Sequence, residues 1–428
     1  MSPVSFILRE NYMTASYNYH RLPNGIRLIH RQKTGQIAHL ALMVNTGSRD
    51  EHAREFGMAH LIEHMVFKGT KKRKAFHVLS RLENVGGELN AYTTKEETCI
   101  HASFLNTFCD RSMELLADIA FNASYPAHEL AKEKEVILDE IHSYKDSPSE
   151  QIFDDFEDQL FDGHPIGHPI LGTNESVKSF SRNDLLRFIK RNYSTTKMVL
   201  ALIGDVPFST FVKQAEKYFG IPASNPSFPS REIFSNYQPR QQQQSKNSFL
   251  SHCITGNIAL DRRHPQKHSM VLLNNILGGP GLNSRLNLNI REKYGFAYSI
   301  ESHYTAYSDT GVFLVYLGID PKSADKALKL VYKELSKLKN QKLGSLQLHR
   351  AQQQLIGQLS ISFESGLSEA LSVARSHLLF DQVDDMRAIT GKIRNTNASM
   401  MMELAQQIFD INQFNTLIYL GNQNIAND

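Results

Sequence analysis

The chain has 428 residues and a mass of 48.6 kDa, which corresponds to about two or three domains of ordinary size. Hydrophobic residues make up 41% and charged residues 21% of the chain, a composition that excludes disordered and fibrous classes. Lys and Arg number 47 against 44 Asp and Glu, so the net charge of +3 argues against a nucleic-acid-binding surface as the main function.

Cysteine usage and apolar runs bear on the compartment. Cys99, Cys109 and Cys253 lie far apart and form no CxxC pair, so neither a disulfide framework nor a cysteine zinc site is expected. The run Ser5–Leu8 is too short for a signal-peptide core, and no apolar run reaches the roughly 18 residues of a membrane span. We therefore expect a soluble, cytoplasmic protein without a membrane partner. Met1 and Met13 are alternative starts, and with Met13 as the start residues 1–12 would be an irregular leader.

The first half of the chain has the pattern of an α+β unit. Tyr19–His30 reads as strand–turn–strand, and the apolar run His39–Asn45 as a buried strand. Alternation at Glu88–Thr94 and Thr98–Phe104 predicts a hairpin, and Met198–Gly204 closes the unit as a short buried strand. Helical periodicity predicts helices at Gly57–Phe67, Phe76–Val85, Thr107–Ala120, His128–Tyr144 and Asp184–Asn192.

Composition changes between Ile221 and Ser248. Proline alternates with Ser and Asn there, Gln241–Gln244 is a low-complexity patch, and no periodicity survives, so residues 221–248 are predicted to be an inter-domain linker. The element order after this segment resembles that of the first half, which suggests a duplicated α+β unit. The predicted elements are strands at Ser251–Leu260, Ala297–His303 and Gly311–Gly318, and helices at Pro265–Leu277, Leu282–Lys293, Ala324–Leu338 and Ser345–Glu364.

One motif in the first predicted helix has the spacing of a metal site. His60 and His64 are four residues apart in an HxxEH sequence, so on a helix both imidazoles project from one face and can share a small cation. Glu63 lies on the same face, where it can reach a water beside the cation. Two solvated histidines and a helical glutamate are the alternative for the motif taken alone. The remaining helix residues form an apolar stripe of Met58, Leu61, Ile62, Met65 and Val66.

A catalytic zinc takes three protein ligands and keeps one open position. The predicted helix His128–Tyr144 offers five acidic residues, of which Glu133 and Glu140 are two turns apart and share a face. Spacing alone does not choose the ligand among them. A solvated acidic surface would have the same pattern.

The inverted HxxEH order, with a glutamate on a later helix, resembles the insulinase/pitrilysin family of zinc peptidases. Glu140 lies 76 residues beyond His64, the separation that the resemblance requires of the third ligand. The resemblance thus implies one zinc ion per chain, held by His60, His64 and Glu140, with Glu133 as a supporting acidic residue. The segments that flank the motif and Glu140 match the family as well.

Further segments carry the same resemblance and imply a substrate site. Arg291 and Tyr298 match residues that bind substrate across a cleft; a surface arginine and a core tyrosine are the alternatives. The resemblance also implies a substrate-binding edge strand, Asn90, Ala91, Tyr92 and Thr93, with Phe67 beside it, and a glycine-rich loop with Gly278, Gly279 and Gly281. For the glycines, a tight loop between helices is equally compatible with the sequence.

The resemblance implies a processing-peptidase-like architecture of the LuxS/MPP-like metallohydrolase fold. Each of two similar domains would be a mainly antiparallel sheet with helices packed on it. Residues 1–220 would bind zinc, and residues 249–428 would supply the glycine-rich loop, Arg291 and Tyr298. Since larger members join four such domains in one chain, a homodimer is expected to close the chamber.

The implied activity is that of a zinc metalloendopeptidase acting on short or unfolded peptides held in extended form. Glu63 would move the proton of the attacking water, and Tyr298 would donate a hydrogen bond to the scissile carbonyl oxygen. Two alternatives stay open at this point. One is a non-catalytic binding or assembly subunit of the same fold, and the other is a dedicated leader-peptide maturation protease.

Overall fold

The structure is a computed structural model that describes residues 16–221 and 229–422. The leader expected at residues 1–12 lies outside the described residues. Within these two ranges the chain forms two β-sheets, each covered by helices, so the expected α+β fold with two similar units is confirmed. No helix of the described ranges is long and apolar enough to cross a bilayer.

The first sheet has six strands in the order β1-β2-β6-β3-β5-β4. All neighbouring strands are antiparallel except β2 and β6, and β4 forms one edge of the sheet. The central strands are almost continuously apolar, as expected for strands covered on both faces. The strands are β1 (Asn18–Arg21), β2 (Arg27–Gln32), β3 (Ile37–Val44), β4 (Glu88–Thr93), β5 (Thr98–Leu105) and β6 (Met198–Gly204).

Within the described chain, eight α-helices lie between the strands of this sheet or directly after them in sequence. Five of them correspond to predicted helices, whereas α5, α6 and α8 were not predicted. The helices are α1 (Met58–Met65), α2 (Ala75–Glu83), α3 (Cys109–Asn122), α4 (Ala127–Lys145), α5 (Pro148–Leu160), α6 (Asn174–Ser179), α7 (Arg182–Asn192) and α8 (Phe208–Phe219).

The second sheet has five strands in the order β7-β11-β8-β10-β9. Its strands are β7 (Gln241–Ser245), β8 (Ser251–Ala259), β9 (Ala297–Ala306), β10 (Gly311–Ile319) and β11 (Asn415–Leu420). Its half of the chain also contains the helices α9 (Lys267–Gly278), α10 (Ala324–Asn340), α11 (Ser345–Glu364), α12 (Gly366–Phe380), α13 (Met386–Arg394) and α14 (Ala398–Ile408).

Two segments of the second half differ from the sequence-based expectation. The glutamine-rich patch inside the expected linker forms strand β7, which pairs in parallel with β11. Main-chain hydrogen bonds hold an edge strand whatever its side chains, so composition gave no sign of it. The predicted helix Leu282–Lys293 contains a π-helical stretch at Asn287–Glu292, a form that is rare and often found at functional sites.

Each half of the chain contributes one helix to the sheet of the other half. Helix α12 packs on the first sheet, where Ala370 and Val373 lie against Ala41 and Met43. Helix α5 packs on the second sheet, where its apolar face joins the cluster that contains Ile254. Each of these two helices therefore packs on the sheet that the other half of the sequence forms.

A buried cluster of charged side chains also joins the two halves. Glu96, in the loop between β4 and β5, lies 2.7 Å from Nη1 of Arg49 and 3.1 Å from Nη2 of Arg262. Arg231 enters the cluster from the expected linker through Asp50, with Nε–Oδ1 at 2.8 Å. These charges neutralise one another in a region from which water is largely excluded.

Candidate metal centre

Helix α1 presents its apolar side to the core of the first sheet and its HxxEH side to helix α4. Met58, Leu61, Ile62 and Met65 are all fully buried, as the predicted stripe requires. His60, Glu63 and His64 are partly buried on the other side. The local sequence pattern thus fixes which face of the helix carries the polar residues.

The start of α1 is held by a carboxylate that the sequence analysis did not identify. Glu51 accepts hydrogen bonds from the backbone N–H groups of Gly57 and Ala59, at 2.9 and 2.8 Å. Burial raises the pKa of Glu51 well above its ordinary value, and these two hydrogen bonds act in the opposite direction. Gly57 adopts a left-handed φ of 93°, and a side chain there would come 2.6 Å from the carbonyl oxygen of Leu171. The sequence did offer one sign of this role, since an acidic residue shortly before a predicted helix can bind the N–H groups at the helix start.

Three side chains from two helices converge at the polar side of α1. His60 Nε2 and His64 Nε2 each lie 3.9 Å from a carboxylate oxygen of Glu140, which α4 supplies. One potential ligand atom from each residue lies within 4.8 Å of the other two. The structure therefore brings together the residues that the resemblance selected from an ambiguous acidic helix.

Glu133 lies beside the second histidine, His64. Its Oε2 lies 3.1 Å from Nδ1 of His64, and its Oε1 lies 2.6 Å from Nζ of Lys68. A hydrogen bond donated by Nδ1 leaves the lone pair of Nε2 facing Glu140, the arrangement a metal-binding imidazole needs. Lys68 stands one turn after His64, a spacing that could have identified it from the sequence.

The surroundings of His60 favour its neutral form. Burial, followed by the proximity of His64, lowers its pKa to about 3. Its Nδ1 is buried and has no hydrogen-bond partner within the described part of the chain. A neutral imidazole keeps a lone pair on one ring nitrogen, and the neutral form is the one that coordinates a metal.

The donor set fits zinc. Two imidazole nitrogens and a carboxylate oxygen are ordinary zinc ligands, and a fourth position would remain open. The three potential ligand atoms lie within 4.8 Å of one another, close enough for all three to reach one ion after small side-chain movements.

Glu63 lies next to this cluster without belonging to it. Burial raises its pKa, while Thr93 and the neighbouring His64 act in the opposite direction. Thr93 is the last residue of the edge strand β4. A carboxylate at this position can exchange a proton with a molecule bound between the cluster and β4.

Edge strand β4 divides its predicted substrate residues between two faces. Leu89 and Ala91 pack with the core that contains α1, whereas Tyr92 packs against the α12 side of the sheet. The hydroxyl of Tyr92 accepts a hydrogen bond from Nη2 of Arg375 at 3.3 Å. Asn90 accepts a hydrogen bond from the backbone N–H of Ala91. Within the described chain β4 pairs with β5 alone, so its other side offers main-chain groups.

The structure places Phe67, Arg291 and Tyr298 in different surroundings. Phe67 is partly buried against the first core, just after α1. Arg291 lies in the π-helical stretch, with Nη1 3.5 Å from Oδ1 of Asn287, and Tyr298 is 66% exposed on edge strand β9. Among the described residues, neither Arg291 nor Tyr298 forms a hydrogen bond or ion pair with the His60 cluster, so their substrate role stays a prediction.

The glycine-rich loop follows helix α9. Gly278 is the last residue of that helix, and a side chain there would come 2.7 Å from the backbone nitrogen of Ser302 on β9. Gly281 would meet the side chain of Gln354 at 2.4 Å. The close approach of α9 to β9 accounts for Gly278 in structural terms. Contact of Gly279 and Gly281 with substrate stays a prediction.

Two family models match the chain in sequence. Residues 27–174 match the family described as insulinase (peptidase family M16), and residues 179–355 match the peptidase M16 inactive domain. An uncharacterized zinc protease of Bacillus subtilis, YmxG, is 30% identical over 387 residues, which cover 90% of this chain and 94% of that protein. An uncharacterized zinc protease of Rickettsia felis is 31% identical over 93% of this chain and 96% of its own length.

Solved structures show the same fold. A protease from Helicobacter pylori superimposes with a TM-score of 0.89 at 21% identity, over 95% of this chain and 99% of that one. A peptidase M16 inactive domain from Pseudomonas fluorescens also superimposes with a TM-score of 0.89, at 18% identity, over 95% of this chain and 98% of that one. At these identities the similarity concerns the fold alone.

Proposed function

The chain belongs to the insulinase family, peptidase family M16, and on this basis we propose that it is a zinc-dependent endopeptidase. The observation that carries the proposal is the convergence of His60, His64 and Glu140 within 4.8 Å, next to the partly buried carboxyl of Glu63. A non-catalytic subunit would have no need of a complete ligand set beside a proton-transferring group.

His60, His64 and Glu140 would hold one zinc ion per chain. When bound, zinc would polarise the scissile carbonyl and make a water molecule acidic enough to attack it near neutral pH. Glu63 would accept the proton of that water on a carboxylate oxygen and later deliver it to the leaving amine.

Peptide substrates would pair with edge strand β4. Main-chain groups of Asn90–Thr93 that do not pair with β5 can bind an extended backbone whatever its side chains. The N–H of Ala91 already donates to the Asn90 side chain and would have to exchange that bond. Such pairing tolerates many sequences, and it excludes folded substrates, whose backbone groups are already paired. Short or unfolded peptides are therefore the proposed substrate class. Phe67 would contact the substrate beside strand β4.

Arg291 and Tyr298 would contact substrate from the second half. Tyr298 has the exposure this role needs. It lies on β9, which is an edge strand of the second sheet as β4 is of the first. Arg291 would hold a substrate carbonyl, and the tyrosine hydroxyl would stabilise negative charge on the scissile carbonyl oxygen. We further propose a cytoplasmic homodimer that encloses the substrate in a chamber, to be checked by the molar mass in solution.

Wild type and Glu63→Gln compared on a mixed peptide library, with zinc quantified in both, test this function. We expect Glu63→Gln to keep its zinc and to lose at least about 100-fold in cleavage rate. The exposed helix residue Glu83 provides the matched control, since Glu83→Gln removes the same charge outside the site.

Cleavage by Glu63→Gln at the wild-type rate would contradict the mechanism. A zinc content far below one per chain after gentle purification would favour the non-catalytic subunit instead. Cleavage of a single library member would point to a dedicated maturation protease.

A further inference from the structure

A cavity of about 560 Å³ opens between α9, α11, α12 and α13 in the second half of the chain. None of its lining residues belongs to the His60 cluster or to strand β4. Apolar side chains from several helices line much of it, including Val271, Leu359, Phe363 and Ile389. Its size is that of an ordinary small-molecule site.

Cationic side chains line the same cavity. Arg262, Arg263 and Lys267 come from the segment that leads into α9, and Lys392 comes from α13. Asp384 is the one carboxylate among the lining residues, and it is paired with Lys392. The lining therefore has more positive charge than its own carboxylate can neutralise.

Lys267 carries the unbalanced part of this charge, because Arg262 is already paired with Glu96. Within the described ranges no carboxylate lies within 4.0 Å of the Lys267 ammonium, which sits 5.2 Å from the centre of the Phe380 ring. Burial, together with the cations of Arg262 and Lys392, lowers the pKa of Lys267. Arg262 donates from Nη2 to Glu96 and Ala306, whereas its Nη1 is buried without a hydrogen-bond partner among the described residues.

We propose that this cavity binds an apolar molecule that ends in a carboxylate. The carboxylate would be held by Lys267, with Arg262 and Arg263 beside it, and the apolar part would lie against Val271 and Leu359. Two sources have this chemistry, namely the free C-terminus of a peptide with an apolar last residue and a medium-chain fatty acid. The inference goes beyond the proposed function, because binding here requires neither the metal ligands nor Glu63.

Small side chains on α12 leave the space for such a ligand. Ser372 and Ser376 are one turn apart on that helix and both line the cavity. Replacing Ser376 with phenylalanine would occupy part of the volume beside α12 without changing any charge. Lys267→Met keeps the length of the side chain and removes its charge, so the two variants test volume and charge separately.

Isothermal titration of the full chain with two carboxylates and their amides tests the proposal. The probes are octanoate against octanamide, and N-acetyl-leucyl-phenylalanine against its C-terminal amide. We expect a carboxylate to bind with a Kd of about 1 mM or tighter and the matching amide at least about tenfold more weakly. Binding is read as heat, so the result does not depend on peptide cleavage.

The variants are measured in the same titrations. Lys267→Met and Ser376→Phe are each expected to weaken carboxylate binding by at least about tenfold. Lys329→Met, on an exposed position of α10, removes the same charge outside the cavity and is expected to bind like wild type. Thermal unfolding of each variant shows whether the fold is kept.

Each outcome decides the proposal. Binding of the peptide acid alone assigns the site to peptide C-termini, and binding of octanoate alone assigns it to lipid-derived acids; both support a carboxylate site. The proposal is overturned if neither acid binds at about 1 mM, if the amides bind as tightly as the acids, or if folded Lys267→Met binds as wild type does.

Discussion

Arg49 and Asp309 form a two-point ion pair between the halves of the chain. Nη1 and Nη2 of Arg49 lie 2.6 and 2.7 Å from Oδ1 and Oδ2 of Asp309. Arg49 follows strand β3 of the first sheet, and Asp309 lies in the turn between β9 and β10 of the second. Although burial acts to raise it, the hydrogen bonds from Arg49 and from the backbone N–H of Phe234 hold the pKa of Asp309 below its ordinary value.

Asp309→Asn should therefore weaken the attachment of the two halves. The substitution leaves Arg49, whose side chain is 1% exposed, with Glu96 as its remaining acidic partner. We expect a loss of about 1.5–3 kcal/mol in the free energy of unfolding, since the two hydrogen bonds from Arg49 lose their charged acceptor while Glu96 still compensates part of the Arg49 charge. Urea denaturation measures this. The Arg49→Met and Asp309→Asn double-mutant cycle is the control, and additive effects of the two changes would contradict direct coupling.

Glu133→Gln should weaken zinc binding without removing a ligand. The amide would lose the ion pair with Lys68. It would also accept a weaker hydrogen bond from Nδ1 of His64, so the imidazole would be less well oriented and less basic. A loss of about 10- to 100-fold in zinc affinity is expected, measured by competition with a chromogenic chelator. Glu135→Gln on the exposed side of α4 is the control. Equal affinities for the two variants would show that Glu133 does not support the site.

Glu51→Gln should destabilise the start of helix α1. Both carboxylate oxygens of Glu51 accept backbone N–H groups, from Gly57 and Ala59, and an amide NH₂ in place of one oxygen would face a donor. A cost of about 1–3 kcal/mol in the free energy of unfolding is expected, read from urea denaturation. The exposed Glu83→Gln should cost far less. If the two variants unfold alike, Glu51 does not hold the helix.

Gly278→Ala tests the close contact of α9 with β9. The added methyl group would come 2.7 Å from the backbone nitrogen of Ser302, so the helix would have to shift, at a cost of about 1–3 kcal/mol. Gly357, inside α11, has open space around it, and Gly357→Ala is expected to stabilise the protein by about 0.5–1 kcal/mol. Chemical denaturation of both variants gives the comparison. If Gly278→Ala does not destabilise the protein relative to Gly357→Ala, the close contact between α9 and β9 is contradicted.

Stability should depend on pH through His377. Burial, followed by the cation of Arg27, lowers the pKa of His377 to about 4 in the folded state, from 6.5. Between these values the unfolded chain binds more protons than the folded one, so the contribution of His377 is present above pH 6.5 and is lost as the pH falls towards 4. His377→Gln should flatten the dependence near pH 5 by up to about 1.4 kcal/mol per pH unit. His128→Gln on the surface is the control, and an unchanged slope in His377→Gln would contradict the assignment.

Local periodicity predicted the elements whose residues are neighbours in sequence. The apolar stripe of α1 places His60 and His64 on the opposite side of one helix, and the apolar runs of β3 and β6 are central strands. Glu140 was reached through the family resemblance, because spacing left it equivalent to Glu133. The structure distinguishes them: Glu140 faces both Nε2 atoms, and Glu133 faces Nδ1 of His64.

Other relationships have no local pattern and were decided by the tertiary structure. The sequence does not indicate that α12 crosses to the first sheet, that a glutamine-rich segment pairs with β11, or that Arg49 reaches Asp309. These contacts join residues far apart in the chain, and each depends on burial and on main-chain pairing that form only when both sheets are assembled. By itself, therefore, the sequence determined the chemistry of the HxxEH helix and its family, whereas the tertiary structure decided which partners hold that helix and join the halves.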